Sequence, residues 1–264
     1  MWQYKILTTG VFHADGGAMF GAIPKRAWSR KYPAAEDNTC LLAMNCLLVW
    51  NREKIILLDT GVGTKELGKH AYYRFHDMQD IAGMVRAQGF EPEQVSDIVL
   101  SHLHFDHCGG CTYYDADGNI RITFPKARHW VSRRQWDNYL HPNALEKSSF
   151  RSNDLCPVYE SGLLHRVESD DDELAGSFGL YTYDGHTPGQ LVSFFESEEE
   201  TGIFAGDVIP TRAHLSNDWI SAYDTQPLQS LNAKIRVKKK MKEKPSRLFF
   251  YHDAYYSSYK YLFK

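Results

Sequence analysis

The chain has 264 residues, of which 43% are hydrophobic and 14% aromatic, so it is long enough to bury a sizeable core. Its formal net charge of -3 offers no basic footprint for nucleic acid, and no segment has the apolar length of a membrane span. We therefore expect one domain over residues 1–264, with small-molecule substrates rather than nucleic acids or membranes as partners.

The number and spacing of the cysteines indicate the redox state of the cellular compartment. The chain has five cysteines, an odd number without regular spacing, which favours a reducing compartment over a disulfide framework. The first residues lack the basic stretch and apolar core of a removable signal peptide. Together these features predict a cytoplasmic protein.

The N-terminal segment combines a strand pattern with glycines and aromatic residues. Residues 3–13 alternate loosely and predict a first strand, and the glycine-rich residues 15–21 predict a loop. Phe20, Trp28 and Tyr32 follow in a segment that we expect to be exposed. For residues 14–36 the sequence leaves three roles open: a lid or wall over the active site, a contact in a homodimer, or a loop that packs its aromatic side chains back on the core.

A buried hairpin and a helix are predicted next. Residues 41–50 and 54–58 read as paired strands around a turn, and the second strand leads into Asp59-Thr60-Gly61. Apolar residues then recur with helical spacing over residues 65–88, before a glycine that suits a helix C-terminus.

A metal-capable motif follows the predicted strand at residues 97–100. It places His102, His104, Asp106 and His107 within six residues. On a strand, side chains two apart share a face, so His102, His104 and Asp106 are expected on one face and His107 on the other. One metal can then take the first two imidazoles while Asp106 and His107 reach a neighbouring metal. Imidazole nitrogens suit zinc, copper, iron or nickel, and we expect zinc.

Two cysteines lie directly after this motif. Cys108 and Cys111 form a Cys-x-x-Cys pair, which can be redox-active or half of a structural zinc site. No second pair completes such a site, so we expect small buried thiols in a glycine-bearing turn into a helix.

The second half repeats the pattern of a strand that ends in a metal-capable residue. Residues 127–131 predict a strand followed by a helix, whereas residues 137–163 look irregular and could carry substrate preference. His186 follows the predicted strand 178–183 in a Gly-His-Thr-Pro-Gly turn, and Asp207 follows another apolar run. Such repetition suits two similar β/α halves packed sheet to sheet.

The order of these motifs, completed by Tyr251-His252-Asp253, resembles the metallo-β-lactamase-fold hydrolases along nearly the whole chain. Residues 15–21, with Pro24 and Trp28, are similar to the branch that holds quorum-quenching lactonases and methyl parathion hydrolase. The resemblance implies an α+β fold, a four-layer αβ/βα sandwich with metals at one edge of the sheets.

The resemblance also implies a dinuclear site with two zinc ions per chain. The implied ligands of the first metal are His102, His104 and His186, those of the second are Asp106, His107 and His252, and Asp207 bridges the two. Asp59 would orient a ligand histidine rather than bind metal. Asp106 would combine metal binding with a catalytic role in proton transfer.

The expected function is hydrolysis of a small ester or lactone, such as an acyl-homoserine lactone, by a hydroxide that bridges the metals. Organophosphate triesters and thioesters are alternative substrates for the same site, and a non-catalytic metal-binding ligand sensor is an alternative of another class. His214 and Tyr223 follow Asp207 and either face the substrate or lie on the surface.

Overall fold

The structure, a computed structural model, describes residues 1–168 and 172–262. The strands are β1 (Gln3–Asp15), β2 (Thr39–Trp50), β3 (Ile55–Leu58), β4 (Asp97–Val99), β5 (Thr112–Tyr114), β6 (Ile120–Ile122), β7 (Arg128–Ser132), β8 (Leu164–Val167), β9 (Asp172–Ala175), β10 (Phe178–Tyr183), β11 (Gln190–Glu196), β12 (Thr201–Phe204), β13 (Ser246–Phe249) and β14 (Ser258–Tyr261). The α-helices are α1 (Gly16–Phe20), α2 (Lys25–Trp28), α3 (Ile81–Arg86), α4 (Phe105–Cys108), α5 (Arg133–Leu140), α6 (Ser152–Glu160) and α7 (Pro227–Met241).

Most of the strands form two six-stranded sheets. The first has the order β1-β2-β3-β4-β7-β8 and the second the order β14-β13-β12-β11-β10-β9, while β5 and β6 form a separate hairpin. In the first sheet β3, β4, β7 and β8 run parallel, and in the second β12 and β13 run parallel. Parallel neighbours end at the same edge of a sheet, so the segments that follow them come close together.

The main core lies between the two sheets. Aromatic rings cross this layer: Tyr4 of β1 lies 5.9 Å from Phe195 of β11 and 5.0 Å from Phe249 of β13, measured between ring centroids. Strand β10 supplies Phe178 and Leu180 to this layer. The alternation of side chains along a strand therefore directs these apolar residues inward.

Helices cover the outer faces of both sheets. On the first sheet, α3 packs against β1 and α5 against β7 and β8. On the second, α7 buries Val237 against Ile203 and Leu248 in a separate apolar cluster. The layers are thus helix, sheet, sheet and helix, which confirms the predicted sandwich. None of the helices in the described ranges is long and apolar enough to cross a membrane.

The predicted helix over residues 65–88 is wrong. A 3-10 helix at Leu67–Tyr73 is followed by an irregular stretch, and only Ile81–Arg86 is α-helical. Arg74 and Asp77 have positive φ values of 50° and 51°, which break a right-handed helix. Asp80 then caps α3 through its side chain. The periodic apolar residues mark the face of a short helix rather than of a long one.

Two other stretches are more helical than expected. Residues 15–21 contain α1, whose first turn is capped by the Asp15 side chain, and the irregular insertion contains α6. Of the open roles for residues 14–36, the structure supports inward packing, because Phe20, Trp28 and Tyr32 are all buried. The same segment also contributes Met19 to the wall of the cavity beside the candidate site.

Candidate active site

Seven acidic and histidine side chains meet where the strands of the two sheets end. Each lies in a segment that follows β4, β10, β12 or β13. The structure brings together every residue for which the resemblance implied metal binding: His102, His104, Asp106, His107, His186, Asp207 and His252. Their roles as metal ligands stay a prediction, but their convergence is a property of the fold.

The motif after β4 changes conformation halfway. His104 is still extended, with φ and ψ of -66° and 147°, and it begins the single helical turn α4 that carries Asp106 and His107. The expectation that Asp106 shares a strand face with His102 and His104 is therefore wrong in its geometry. A helical turn, and not strand alternation, directs Asp106 and His107 to a second set of donors.

The first donor group comprises His102, His104 and His186. The Nδ1 atom of His104 lies 3.0 Å from Nε2 of His102 and 3.1 Å from Nε2 of His186. The three rings are nearly perpendicular, with interplanar angles of 80°, 83° and 73°. Three ring nitrogens therefore point at one small volume.

The second donor group comprises Asp106, His107 and His252. The Nε2 atoms of the two histidines lie 3.3 Å apart. Oδ2 of Asp106 lies 3.5 Å from Nε2 of His252 and 3.8 Å from Nε2 of His107. This group is therefore a second convergence of two imidazoles and one carboxylate.

Asp207 lies between the two groups. Its Oδ2 is 3.4 Å from Nε2 of His186, and its Oδ1 is 3.3 Å from Nε2 of His252 and 3.5 Å from Nε2 of His107. Oδ1 is buried and accepts no hydrogen bond from the described residues. Burial alone would raise the pKa of Asp207, but the surrounding imidazoles of His252, His107 and His186 hold that pKa well below its usual value.

A carboxylate buried beneath the motif holds two of the imidazoles from behind. Nδ1 of His107 lies 2.8 Å from Oδ2 of Asp59. The backbone N–H and the hydroxyl of Ser101 donate to Asp59 at 2.6 and 2.7 Å, and Nδ1 of His102 lies 3.1 Å from the same hydroxyl. Asp59 thus contacts one of the converging histidines directly and a second through Ser101, and its orienting role stays a prediction.

Acceptors also stand behind the histidines of the later segments. Nδ1 of His186 lies 3.0 Å from Oδ1 of Asp224, and Nδ1 of His252 lies 3.0 Å from the carbonyl oxygen of Ala43. Both acceptors fix which ring nitrogen carries hydrogen.

Glu146 stands behind the remaining imidazole. Its Oε2 lies 3.3 Å from Nε2 of His104 and accepts a hydrogen bond from Thr187 Oγ1 at 2.7 Å. Burial alone would raise the pKa of Glu146, but hydrogen bonds from His104 and Thr187 hold it below its usual value. Sequence reasoning missed Glu146 and Asp224, because neither belongs to a motif.

The donor set fits divalent cations. Every outer ring nitrogen faces an acceptor, so with a cation bound each ring would carry its hydrogen on the outer nitrogen and present the lone pair of the inner nitrogen to the cation. The inner nitrogen atoms are only 3.0–3.3 Å apart, so their lone pairs would repel one another, and a cation among them removes that repulsion. Imidazole and carboxylate donors suit zinc and related divalent ions.

A cavity of about 180 Å³ opens beside these donors. Asp106 and Asp207 are among its polar lining residues, and among the described residues that line it there is neither Lys nor Arg. Its apolar wall is formed by Phe12, Met19, Leu42, Tyr73, Phe105 and Leu145.

The two residues left open after Asp207 have different positions. Tyr223 lines the cavity and is partly exposed. His214 is buried beneath the cavity wall, where Nε2 lies 2.9 Å from the carbonyl oxygen of Met19 and Nδ1 lies 2.7 Å from Oγ1 of Thr211. Tyr223 therefore faces the cavity, whereas His214 supports its wall.

The two cysteines after the motif are buried, as expected, but their short helical turns lead into strand β5 rather than into a helix. The Cys108 thiol contacts the carbonyl oxygen of Leu103 at 3.3 Å, and burial raises the pKa of the Cys111 thiol to about 12. Such thiols stay protonated and are poor nucleophiles.

The fold and the site define a class of protein. Residues 42–252 match the family profile of the metallo-beta-lactamase superfamily, and the chain belongs to that superfamily. It is a hydrolase of the metallo-beta-lactamase fold.

Individual relatives are similar at low identity. A probable metal-dependent hydrolase from Staphylococcus aureus is 27% identical, with a TM-score of 0.91 over 99% of this chain and 92% of that one. An N-acyl homoserine lactonase of Bacillus thuringiensis is 24% identical over 220 residues, which cover 79% of this chain and 80% of the relative. AidC, a dizinc quorum-quenching lactonase, has 24% identity and a TM-score of 0.75 over 100% of this chain and 91% of its own.

Proposed function

We propose that the chain is a dinuclear zinc hydrolase that cleaves a small lactone or carboxylic ester with an apolar acyl group. The observation that carries the proposal is the convergence of two donor groups on either side of Asp207, beside a cavity with an apolar wall. The relatives named as lactonases support the same class of substrate.

The chemistry divides between the ions and the chain. A pair of divalent ions would supply a water molecule that ionises near neutral pH and would polarise the scissile carbonyl. The two oxygens of Asp207 face different donor groups and would hold them at a fixed separation.

Asp106 is the proposed proton carrier. It lines the cavity, and its side chain remains 16% exposed while it contacts His252. In lactone opening, water oxygen bonds to the carbonyl carbon and the ring C–O bond breaks. Asp106 would take the proton of the attacking water and return it to the departing alkoxide oxygen, so that the product is the hydroxy acid.

The cavity wall bears on the choice of substrate. Phe12, Met19 and Leu42 offer apolar contact, and no cationic side chain among the described lining residues compensates a negative charge on the ligand. A neutral lactone or ester is therefore a better match than a phosphodiester or another polyanion.

The test is a metal count on protein purified without chelator, with the same sample assayed on lactones, aryl esters and phosphotriesters. We expect about two zinc ions per chain and the highest kcat/KM on a lactone or ester, in line with a two-metal site. A higher kcat/KM on phosphotriesters would assign the protein to phosphotriesters instead of lactones or esters. A protein that binds two metal ions but hydrolyses none of these substrates would support a ligand sensor instead.

A further inference from the structure

We propose that Glu146 is a positioning residue that holds the His104 imidazole in its metal-binding orientation and fastens the cavity-lining segment 141–150 to the first donor group. This inference rests on the proposed metal site. It concerns a carboxylate that no sequence motif indicates.

The surroundings of Glu146 consist of hydrogen-bond donors. Asn143 Nδ2 donates to Oε1 at 2.6 Å, Thr187 Oγ1 donates to Oε2 at 2.7 Å, and the Nε2 atom of His104 faces Oε2 at 3.3 Å. Three donors share two oxygens, so the site suits a group that only accepts hydrogen bonds. An ionised carboxylate is such a group, whereas an amide adds two N–H donors of its own.

The local chain is built to direct this carboxylate inward. Oδ1 of Asn143 accepts hydrogen bonds from the backbone N–H of Leu145 at 2.8 Å and of Glu146 at 3.2 Å, so the side chain closes the turn that its neighbours form. Glu146 is only 3% exposed, whereas the adjacent Leu145 is 80% exposed and lines the cavity. The turn therefore directs Glu146 toward His104 and the preceding residue, Leu145, toward the cavity.

The contact with Glu146 determines which nitrogen of His104 carries the hydrogen. A neutral histidine has one N–H, and an acceptor at Nε2 of His104 places it there, which leaves the lone pair on Nδ1. Nδ1 is the atom that faces His102 and His186. Without the acceptor, a hydrogen on Nδ1 would compete with a cation for that lone pair.

Glu146 also reaches the neighbouring ligand segment. Thr187 follows His186 directly, and its hydroxyl accepts a hydrogen bond from Asn138 of α5 at 3.2 Å while it donates to Glu146. One carboxylate therefore connects segment 141–150, His104 and the loop that carries His186. The second donor group has no contact of this kind with the segment among the described residues.

The test compares Glu146→Gln with the wild type and with Glu93→Gln, which makes the same change at an exposed glutamate remote from the donors. Metal-free protein is titrated with cobalt(II), the visible absorption is recorded, and a competing chelator gives the dissociation constants. We expect about a 10–100-fold weaker constant for one of two cobalt ions, with a changed absorption band, and an unchanged constant for the other. Glu93→Gln should match the wild type.

Circular dichroism of the metal-free proteins checks that folding is intact. If Glu146→Gln does not fold, Thr187→Val provides a second test. It removes one hydrogen bond to Glu146 and should weaken binding of the same cobalt ion by a smaller factor. Unchanged constants and spectra in the folded variants would overturn the inference. A wild-type chain that binds only one cobalt ion would overturn the dinuclear proposal, and the ratio of wild-type to variant constants would then judge Glu146 separately.

Discussion

The two donor groups are held in different ways. Behind the second group stand Asp59, at the end of β3, and the backbone carbonyl of Ala43 in β2. The ring of Tyr251 stacks on His107 with centroids 3.9 Å apart, and its hydroxyl donates to the carbonyl oxygen of Asp106 at 2.5 Å. These supports belong to the sheets and their immediate ends.

In the first group, His102 is also held from β3, through the Ser101 hydroxyl and Asp59, but His104 and His186 depend on segments outside the sheets. Their supporting carboxylates are Glu146, in the insertion between α5 and α6, and Asp224, in the segment between β12 and α7. The same two segments supply Leu145 and Tyr223 to the cavity. The second group is therefore supported by the sandwich itself, whereas two of the three histidines of the first group are coupled to loop segments that line the cavity.

The largest expected effect comes from the residue that both groups share. Asp207→Ala removes the carboxylate whose oxygens face His186 and His252, so both groups should lose cation affinity and turnover should disappear. We expect cation affinity to fall by much more than the roughly 10–100-fold that follows when a residue hydrogen-bonded to a ligand histidine is removed. Metal analysis and kcat/KM measure it, with exposed Asp218→Ala as the control. Full activity in Asp207→Ala would contradict the bridging role.

The same substitution behind each donor group, Asp59→Asn and Asp224→Asn, tests the difference between the two groups. Asp59→Asn removes a buried acceptor of three donors, and we expect the free energy of unfolding of the metal-free protein to fall by about 1–3 kcal/mol. Asp224→Asn should weaken metal binding by a similar factor to Asp59→Asn, about 10–100-fold, with a smaller change in stability.

Urea unfolding of the metal-free variants and chelator competition separate these two effects. Equal losses of unfolding free energy in Asp59→Asn and Asp224→Asn would contradict the distinction between a group held by the sheets and a group held by outer segments.

A smaller effect, on the pH dependence of stability, is expected from a buried histidine in the strand next to β4. His129 of β7 pairs with Ile98 of β4, and burial lowers the pKa of His129 from 6.5 to about 4. The unfolded chain therefore binds a proton as the pH falls below 6.5 while the folded chain does not, so stability falls with pH until about pH 4.

Between about pH 7 and pH 5 the contribution of His129 to this loss is about 2 kcal/mol. His129→Gln keeps a donor for the carbonyl oxygen of Ala127 but does not titrate, so its unfolding free energy should fall less over this range. Urea unfolding of both metal-free proteins at the two pH values measures the difference. Parallel pH profiles would show that His129 is not neutral in the fold.

The smallest effect on turnover is expected at the two buried cysteines. Replacement of Cys108 and Cys111 by alanine should leave kcat/KM within about twofold, because neither thiol lies in the cavity lining, although the small voids should lower the free energy of unfolding by about 1 kcal/mol each. Steady-state kinetics and urea unfolding measure both. A large loss of kcat/KM with folding intact would support a functional thiol.

Sequence patterns predicted the elements whose signals are local. The turn between β2 and β3 and the alternation in β10 fit the structure, because turn residues and two-residue periodicity act within a few positions. The helix over residues 65–88 failed, since apolar spacing cannot reveal the positive φ values at Arg74 and Asp77 that end it.

The sequence by itself determined the family, the sandwich and the identity of the converging histidines and aspartates, because these residues stand in compact motifs directly after strands. Only the tertiary structure decided how the ring nitrogens face one another and that Glu146 and Asp224 stand behind His104 and His186. Those contacts join residues 42 and 38 positions apart. Packing between distant segments determines these contacts, and such packing produces no recognisable pattern in the sequence.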